Sequence, residues 1–393
     1  MILSGNQAEF QVLENLTEDN WEKLLTLAKI LGVTPLLYRQ LVMRSNSSRI
    51  PEAVIMKLRD AYYRCHAKNA YLFHELGKLM GSFKQAEVPV ILLKGAYLAD
   101  SIYQDAGLRP MDDLDLLIPP EHILKGIEVL STLGYQPFQE YSLDVEFDMA
   151  KHVPPYIKDN TIIELHWNIV NPESPIKFDT SGLWSRSLCF KKENLEALCL
   201  SQEDLLLHLC MHTTQHYFYK QLRTLCDIQA LISLHSNDLN WDQVIHRAKD
   251  WHAERSVFLA LYTVQSLLEV DIPDFVLKEL KPEDFSEEIF GWAQKRIFQA
   301  EPTISDNFIA FLGDRSRKSR LIAFVEAMIP SRKIMSRIYG IDPGSWRVYL
   351  KYPSHWIDRI RRYGGRSVSM LQGDHKLTEQ ARIQQRLVEW LSQ

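Results

Sequence analysis

The chain has 393 residues, of which 46% are apolar and 24% are charged, and its formal net charge is −5. This length and ordinary globular composition exclude wholesale disorder and a single small core. The negative charge excludes a protein whose whole surface binds nucleic acid. No stretch approaches the roughly 20 apolar residues of a membrane helix, and the opening segment lacks a signal-peptide pattern. We therefore expect a soluble protein that does not act at a membrane.

The cysteines indicate the compartment. Their number, five, is odd, and no CxxC spacing occurs. Such usage is typical of reduced thiols in a cytoplasmic protein, most of them simple core residues. The five are Cys65, Cys189, Cys199, Cys210 and Cys226.

The first part of the chain, residues 1–88, predicts helices. Thr17 is placed to cap the segment TEDNWEKLLTLAKILGV, in which apolar residues recur at helical spacing. A short second helix, LLYRQLVM, follows, and a longer pattern covers residues 51–86. Two glycines put the continuity of this third helix in question: Gly77 and Gly81.

The middle part, residues 89–200, alternates between short extended and helical patterns. VPVILLKG and MDDLDLLIP predict buried strands, and AYLADSIY and EHILKGIEVLSTLGY predict helices between and after them. A further extended pair is predicted at residues 147–156 and 161–168 around the turn-like KDN. We therefore expect an α+β core with a small mixed β-sheet.

The last part, residues 201–393, predicts mainly helices. The segment from Ser201 to His235 reads as one long helix with a capping pattern at its start. Further helical patterns cover residues 241–268, 283–300 and 318–339, and LTEQARIQQRLVEWLSQ predicts a final amphipathic helix. The expected organisation is N-terminal helices (1–88), an α+β core (89–200) and a largely helical C-terminal half (201–393).

An acidic motif lies on the second predicted strand. Alternate side chains of a strand share a face, so the carboxylates of Asp113 and Asp115 point one way and the neighbouring leucines point into the core. Adjacent bare charges are costly to bury, and paired carboxylates on a rigid strand suit a hard divalent ion such as Mg²⁺. The alternative is that this motif is only the solvated edge of an amphipathic strand.

A later strand repeats this arrangement. In IIELHW, Glu164 and His166 share one face, while the residues between them share the other. A third carboxylate would complete a two-metal site, in which one ion activates a nucleophilic oxygen and the other neutralises the leaving group. The candidate metal ligands are therefore Asp113, Asp115 and Glu164, with Mg²⁺ or Mn²⁺ as the ion.

A lysine and a glycine end the first predicted strand. Gly95 would let backbone amides approach a phosphate, and Lys94 adds a positive charge beside them. Arg109, just before the acidic strand, is a further candidate phosphate ligand. The alternatives are an ordinary surface turn for Lys94 and Gly95, and a solvated loop position for Arg109.

Together these motifs resemble the uncharacterised nucleotidyltransferase family of the DNA polymerase β-like nucleotidyltransferase superfamily. LLKGAYLADSIY, RPMDDLDLLIP and IIELHWNIV follow its order of a glycine turn, a DxD pair and a third carboxylate. The turn has Lys94-Gly95 in place of the commoner Gly-Gly or Gly-Ser, and Glu164 stands where many members have Asp. The similarity extends from about residue 17 to residue 235 and includes a histidine-rich helix after the core.

The resemblance implies transfer of a nucleoside monophosphate from an NTP to an acceptor hydroxyl or phosphate, with release of pyrophosphate. Asp113 and Asp115 would hold the ions bound to the triphosphate. Glu164 would complete the metal site on the nucleophile side and accept the acceptor's proton. Members resemble accessory enzymes of natural-product and polysaccharide pathways, which favours a small molecule, a modified peptide or a sugar-type metabolite as acceptor.

Three histidines recur at helical spacing after the core. His208, His212 and His216 lie at positions i, i+4 and i+8 and therefore on one face. A zinc site would need further ligands, so we expect His212, His216 and the strand residue His166 to contact nucleotide or acceptor. The alternative is a polar face that packs the helix on the core through ordinary hydrogen bonds.

The segment 315–366 is basic and interleaved with aromatic residues. Such a mixture can bind single-stranded RNA or an anionic acceptor, although a solvated cationic face over an aromatic core explains it more economically. Two alternatives to the leading interpretation remain open: a toxin-like enzyme that modifies tRNA, and a non-catalytic module that binds a nucleotide. Three retained carboxylates argue against the non-catalytic module.

Overall fold

The computed structural model describes residues 3, 13, 16–44, 50–193, 195–299, 329–359, 361 and 375–393. Part of the predicted 318–339 helix, residues 318–328, lies outside this range, as do six cations of the basic segment: Arg315, Arg317, Lys318, Arg320, Arg362 and Arg366. No helix among the described residues is long and apolar enough to cross a membrane.

The described part of the N-terminal region includes three helices: α1 (Glu18–Ile30), α2 (Thr34–Arg44) and α3 (Glu52–Gln85). As predicted, Thr17 caps α1, and its side chain accepts a hydrogen bond from the Asn20 amide at 3.4 Å. The α3 helix continues unbroken through its two glycines, where an added Cβ would meet nothing within 4 Å. The glycines therefore weaken the helix without ending it.

The core is a seven-stranded mixed sheet with the order β3-β4-β5-β2-β1-β7-β6. Its strands are β1 (Ile91–Leu92), β2 (Leu114–Leu117), β3 (Gln136–Pro137), β4 (Tyr156–Lys158), β5 (Thr161–His166), β6 (Leu188–Lys192) and β7 (Leu195–Cys199). The pairs β1–β7 and β2–β5 are parallel, and the other pairs are antiparallel. The predicted α+β class with a mixed sheet is confirmed.

Four short helices accompany the sheet: α4 (Lys94–Tyr97), α5 (Ile123–Thr132), α6 (Leu143–Met149) and α7 (Thr180–Arg186). A π-helical segment (Leu98–Ile102) directly continues α4. One hydrophobic cluster joins α3, α5 and the sheet, with Phe83, Leu130 and Leu165 among its buried members. Gly126 allows α5 to lie close to the sheet, because a Cβ there would come within 2.6 Å of the Ile118 side chain.

The prediction of an extended segment over residues 147–156 was wrong for most of its length. Residues up to Met149 form the last turn of α6, and the strand begins only at Tyr156. A tertiary contact accounts for the helix: its buried Glu146 accepts a hydrogen bond from the Arg337 guanidinium at 3.1 Å. Local alternation cannot reveal a partner almost two hundred residues away.

The described part of the C-terminal half is mainly helical, as predicted. Its helices include α8 (Gln202–Gln215), α9 (Leu222–Leu234), α10 (Trp241–Asp250), α11 (Glu254–Leu268), α12 (Asp274–Leu280), α13 (Glu287–Ile297), α14 (Arg332–Tyr339) and α15 (His375–Leu391). A large hydrophobic cluster joins these helices to the N-terminal ones, with Trp21 and Leu41 packed in the same core as Phe258. The division at residues 88 and 200 stays a prediction.

The single long helix predicted from Ser201 to His235 is in fact two helices. Between α8 and α9 the chain turns through three non-glycine residues with positive φ: Tyr217 (47°), Phe218 (59°) and Lys220 (55°). Phe218 is fully buried, so its burial offsets the cost of this backbone. The turn also places Lys220 at the candidate site described next.

Candidate active site

Two acidic side chains meet at the centre of the sheet. In the parallel β2–β5 pair, Asp115 lies opposite Glu164 and Leu117 lies opposite His166. Along β5 the alternate residues Ile163 and Leu165 are fully buried in the core. The register therefore brings Asp115 and Glu164 side by side at one face of the sheet.

His166 joins the two carboxylates. Its Nε2 lies 3.0 Å from an oxygen of Asp115 and 3.3 Å from an oxygen of Glu164. The ligand atoms of these three residues all lie within 4.8 Å of one another. Within the part of the chain that the structure describes, they form a group that could hold a metal ion.

Lys94 occupies the other side of Asp115. Its Nζ lies 3.1 Å from the second Asp115 oxygen, so both oxygens of this carboxylate have partners. The two side chains are 16% and 5% exposed, which keeps the pair largely out of water. Lys94 also has a positive φ of 26°, and backbone strain of this kind is concentrated at functional sites.

The charges of the site follow from these contacts. Burial alone would raise the pKa of Asp115, but Lys94 and His166 outweigh it and hold the pKa well below its usual range. Burial likewise opposes ionisation of Glu164, while the His166 hydrogen bond and nearby His152 lower its pKa. Both carboxylates are therefore ionised at neutral pH, which suits a divalent cation.

Asp113 is a neighbour of this group and not one of its three members. The strand begins at Leu114, so Asp113 lies just before it, and strand alternation does not extend to Asp113. Its half-buried carboxyl has a pKa raised to about 6, first by burial and then by the charge of Asp115. The structure thus places Asp113 beside the three-residue group, and its predicted role as a ligand stays a prediction.

Gly95 and Arg109 form the support of the lysine turn. A Cβ at Gly95 would lie 3.3 Å from the Arg109 guanidinium, so glycine permits this close packing. The guanidinium is buried and donates to the buried Asp227 carboxylate on α9 at 3.0 Å. The structure therefore ties the predicted phosphate ligand Arg109 to an acidic partner.

A cleft of about 360 Å³ opens beside Lys94, Asp113 and Asp115. Cationic residues from distant parts of the chain line it: Lys29, Lys220 and Arg223. The predicted site residue His212 lies on its wall. A cavity of this size with convergent polar groups and ionised carboxylates is the usual form of a small-molecule site.

Comparison with known families agrees with this geometry. A family model described as uncharacterised nucleotidyltransferase matches residues 17–269, which is more than half of the chain. The chain belongs to this family. The resemblance seen in the sequence is thereby confirmed, as is the prediction that the protein is a nucleotidyltransferase enzyme.

Two solved structures of another nucleotidyltransferase were also found. One is a crystal structure of ANT(2″)-Ia in complex with adenylyl-2″-tobramycin, with 14% identity and a TM-score of 0.30 over 47% of this chain and 96% of that chain. The other is a solution structure of the antibiotic-resistance factor ANT(2″)-Ia, with 12% identity and a TM-score of 0.32 over 50% and 98%. Likeness at this level carries no argument about the acceptor. No curated protein matches the chain.

The histidine-rich helix is α8, and its histidines differ in their surroundings. His208 is buried, His212 is half-buried and His216, at the end of the helix, is exposed. The rings of His212 and His216 lie 4.6 Å apart. The Nε2 of His208 and the Nδ1 of His212 are buried without a hydrogen-bond partner among the described residues. The predicted contacts of His212 and His216 with nucleotide or acceptor stay predictions.

The buried His208 predicts a pH dependence of stability. Burial, and next the cations Lys94 and Lys151, hold its pKa well below the usual value. Below about pH 6.5 the unfolded chain takes up a proton at His208, whereas the folded chain does not. The contribution of His208 to the free energy of unfolding is therefore complete above about pH 6.5 and is lost as the pH falls towards the folded pKa.

We expect His208→Gln to flatten the fall in the free energy of unfolding between about pH 7 and about pH 5, measured by urea denaturation. The matched control is His246→Gln, because the His246 side chain is 69% exposed. A slope in His208→Gln equal to that of the wild type would contradict this account.

Two residues of the site carried no sequence signal. His152 lies 3.9 Å from Glu164, and its Nδ1 lies 2.8 Å from the Val153 carbonyl. Lys151 donates to Gln215 at 3.0 Å, and burial, with the charge of Lys94, lowers its pKa to about 8. Both lie in the predicted extended segment 147–156, whose pattern does not single them out, and His152 forms an isolated antiparallel β-bridge with His166.

Proposed function

We propose that this nucleotidyltransferase transfers an NMP from an NTP to an acceptor hydroxyl or phosphate in a reaction that depends on a divalent metal ion. The observation that carries the proposal is the pairing of ionised Asp115 and Glu164 across two central strands, with Lys94 and His166 in contact. Two ionised carboxylates on adjacent central strands are costly to remove from water, and a bound cation would offset this desolvation cost.

Asp115, Glu164 and His166 would hold the ion, with Asp113 as a further carboxylate at the mouth of the cleft. The oxygen-rich donor set fits Mg²⁺ or Mn²⁺. When bound, such an ion neutralises the triphosphate and the leaving pyrophosphate. Burial, and next the charge of Asp115, raise the pKa of Asp113, and a bound cation would relieve this repulsion between the two carboxylates.

The cations of the chain supply the rest of the electrostatic stabilisation. Lys94, now bound to Asp115, is placed to donate to the phosphates of the NTP, and Lys220 and Arg223 face the same cleft. The ion pair of Arg109 with Asp227 favours a supporting role behind the turn of Gly95 over direct phosphate contact. We assign nucleotide or acceptor contacts to three histidines: His166, His212 and His216.

In the reaction, an acceptor oxygen forms a bond to the α-phosphorus while the bond from that phosphorus to pyrophosphate breaks. When the acceptor is a hydroxyl, Glu164 takes its proton; a phosphate acceptor attacks as the anion, and no proton is removed. Positioning and charge neutralisation therefore account for most of the catalysis. Residues 89–200 carry these groups, and residues 1–88 and 201–393 complete the cleft.

A small molecule, a modified peptide or a sugar-type metabolite is the acceptor we favour over tRNA. Within the described part of the basic segment, two cations pair with acids of α6: Lys333 with Asp148 at 2.5 Å and Arg337 with Glu146 at 3.1 Å. The five free cysteines fit a reducing compartment such as the cytoplasm.

Removal of the metal ion tests the proposal. We expect EDTA to abolish pyrophosphate release from NTPs, because the charges of the triphosphate and of the two carboxylates then repel each other without a cation between them. Mg²⁺ or Mn²⁺ added in excess should restore the rate, measured with a coupled pyrophosphate assay over all four NTPs. Undiminished NTP consumption in EDTA would contradict the metal-dependent mechanism.

A further inference from the structure

A second groove, of about 660 Å³, continues the catalytic cleft. The two share four lining residues: Lys29, Gly32, Asp112 and Arg223. The groove runs between α1 and α3, and no step of the proposed reaction uses it. Its volume lies in the range of small-molecule sites.

The stripe of α3 that lines this groove is unusual for a helix beside another helix. Lys57, Arg64 and Lys68 follow one another at helical spacing on that stripe. A stripe that faces a neighbouring helix is normally apolar and packed. Here the side chains of Lys57 and Arg64 are 56% and 70% exposed, and both line the space between the helices.

Positive charge exceeds negative charge in the groove. The cations on its wall come from three helices: Lys29, Lys57, Arg64, Lys68 and Arg223. Only two acids line it, Glu22 and Asp112, and Asp60 pairs with Arg64 from outside. Five cations against these three acids leave an excess of two, which excludes a polycationic ligand and favours an anion.

The existing ion pairs do not block such a ligand. Lys57 pairs with Glu22 and Arg64 pairs with Asp60, and all four side chains are more than half exposed. Exposed pairs of this kind contribute little to stability, so an anion can recruit their cations at small cost. At the junction with the cleft, Asp112 holds Lys68 at 3.3 Å and Arg223 at 3.2 Å, which keeps two further donors in place.

We propose that the groove between α1 and α3 is an anion-binding substrate subsite that serves the catalytic cleft. The catalytic purpose of the subsite rests on the proposed nucleotide transfer, whereas the choice of an anionic ligand rests on the charges of the groove itself. A phosphate-type group fits, because Arg64 can bind it through two parallel hydrogen bonds and the lysines add point charges. That group belongs either to the polyphosphate of the NTP or to an anionic acceptor.

The test removes two exposed cations of the groove in the full-length protein, with Lys57→Gln and Arg64→Gln combined. The matched control removes two exposed cations outside the groove, with Arg59→Gln and Lys125→Gln combined. Calorimetry at one fixed ionic strength then uses two probes, since salt screens such contacts. One probe is the α,β-methylene analogue of each of the four NTPs with Mg²⁺, and the other is inorganic phosphate added to protein already saturated with the analogue that binds.

We expect the groove variant to lose about tenfold or more in affinity for one probe, and the control to match the wild type. A loss for the nucleotide assigns the groove to the polyphosphate, and a loss for phosphate alone assigns it to an anionic acceptor. Wild-type affinity for both probes in the groove variant would overturn the subsite. Failure of the wild type to bind the nucleotide at all would instead contradict the proposed function, while phosphate binding to the nucleotide-free protein would still test the groove.

Discussion

Asp115→Asn is expected to lower kcat/KM for NTP consumption by about a thousandfold, because it removes a charged ligand from the centre of the site. Asparagine has nearly the same shape, so packing between β2 and β5 is kept while the charge is lost. Both oxygens of Asp115 have partners, Lys94 at 3.1 Å and His166 at 3.0 Å, so the change also removes the negative charge that these two groups contact. The measurement is the steady-state rate of pyrophosphate release with Mg²⁺ at saturating and at low NTP.

The control for this substitution is Asp144→Asn, which changes an exposed acid of α6. It should retain wild-type kinetics, and thermal melting should show that both variants are folded. Activity of a folded Asp115→Asn within a few-fold of the wild type would contradict the assignment of this carboxylate to the metal site.

Lys94→Met is expected to change two affinities in opposite directions. Without nucleotide, Lys94 neutralises Asp115 and so competes with a metal ion; its removal should tighten Mn²⁺ binding by about tenfold. When a nucleotide is present, the substitution removes a positive charge that would contact its phosphates, so NTP affinity should fall by a similar factor. Electron paramagnetic resonance measures free Mn²⁺ directly, and calorimetry with α,β-methylene-ATP measures the nucleotide.

Lys94→Arg retains the charge and should keep nucleotide affinity closer to that of the wild type. A purely structural role for Lys94 predicts a different pattern, in which both affinities fall together as the turn loses its support. The competition account is therefore rejected if Mn²⁺ binds Lys94→Met more weakly than it binds the wild type.

Strand alternation made one part of the site predictable from the sequence. Asp115, Glu164 and His166 lie on segments whose other residues are apolar, and a charged residue there must find a polar partner or a cation. That argument requires no knowledge of the fold, and the register of β2 with β5 brings all three residues together. The argument does not cover Asp113, because the strand starts one residue later, and the role of Asp113 stays a prediction.

Long-range contacts made the rest unpredictable. The ion pairs of Lys94 with Asp115 and of Arg109 with Asp227 join segments that local patterns treat separately. The break between α8 and α9 contains neither glycine nor proline and depends on the burial of Phe218. Such features follow from tertiary packing, which overrides local propensity.

The fate of labelled phosphate tests nucleotidyl transfer most directly. The wild-type enzyme is incubated with Mg²⁺ and a panel of sugar-type, peptide and natural-product acceptors, once with [α-³²P]NTP and once with [γ-³²P]NTP. We predict that the α-label becomes attached to an acceptor and that the γ-label leaves only as pyrophosphate, with neither product formed by Asp115→Asn. Transfer of the γ-label to the acceptor, or its release only as orthophosphate, would contradict the account.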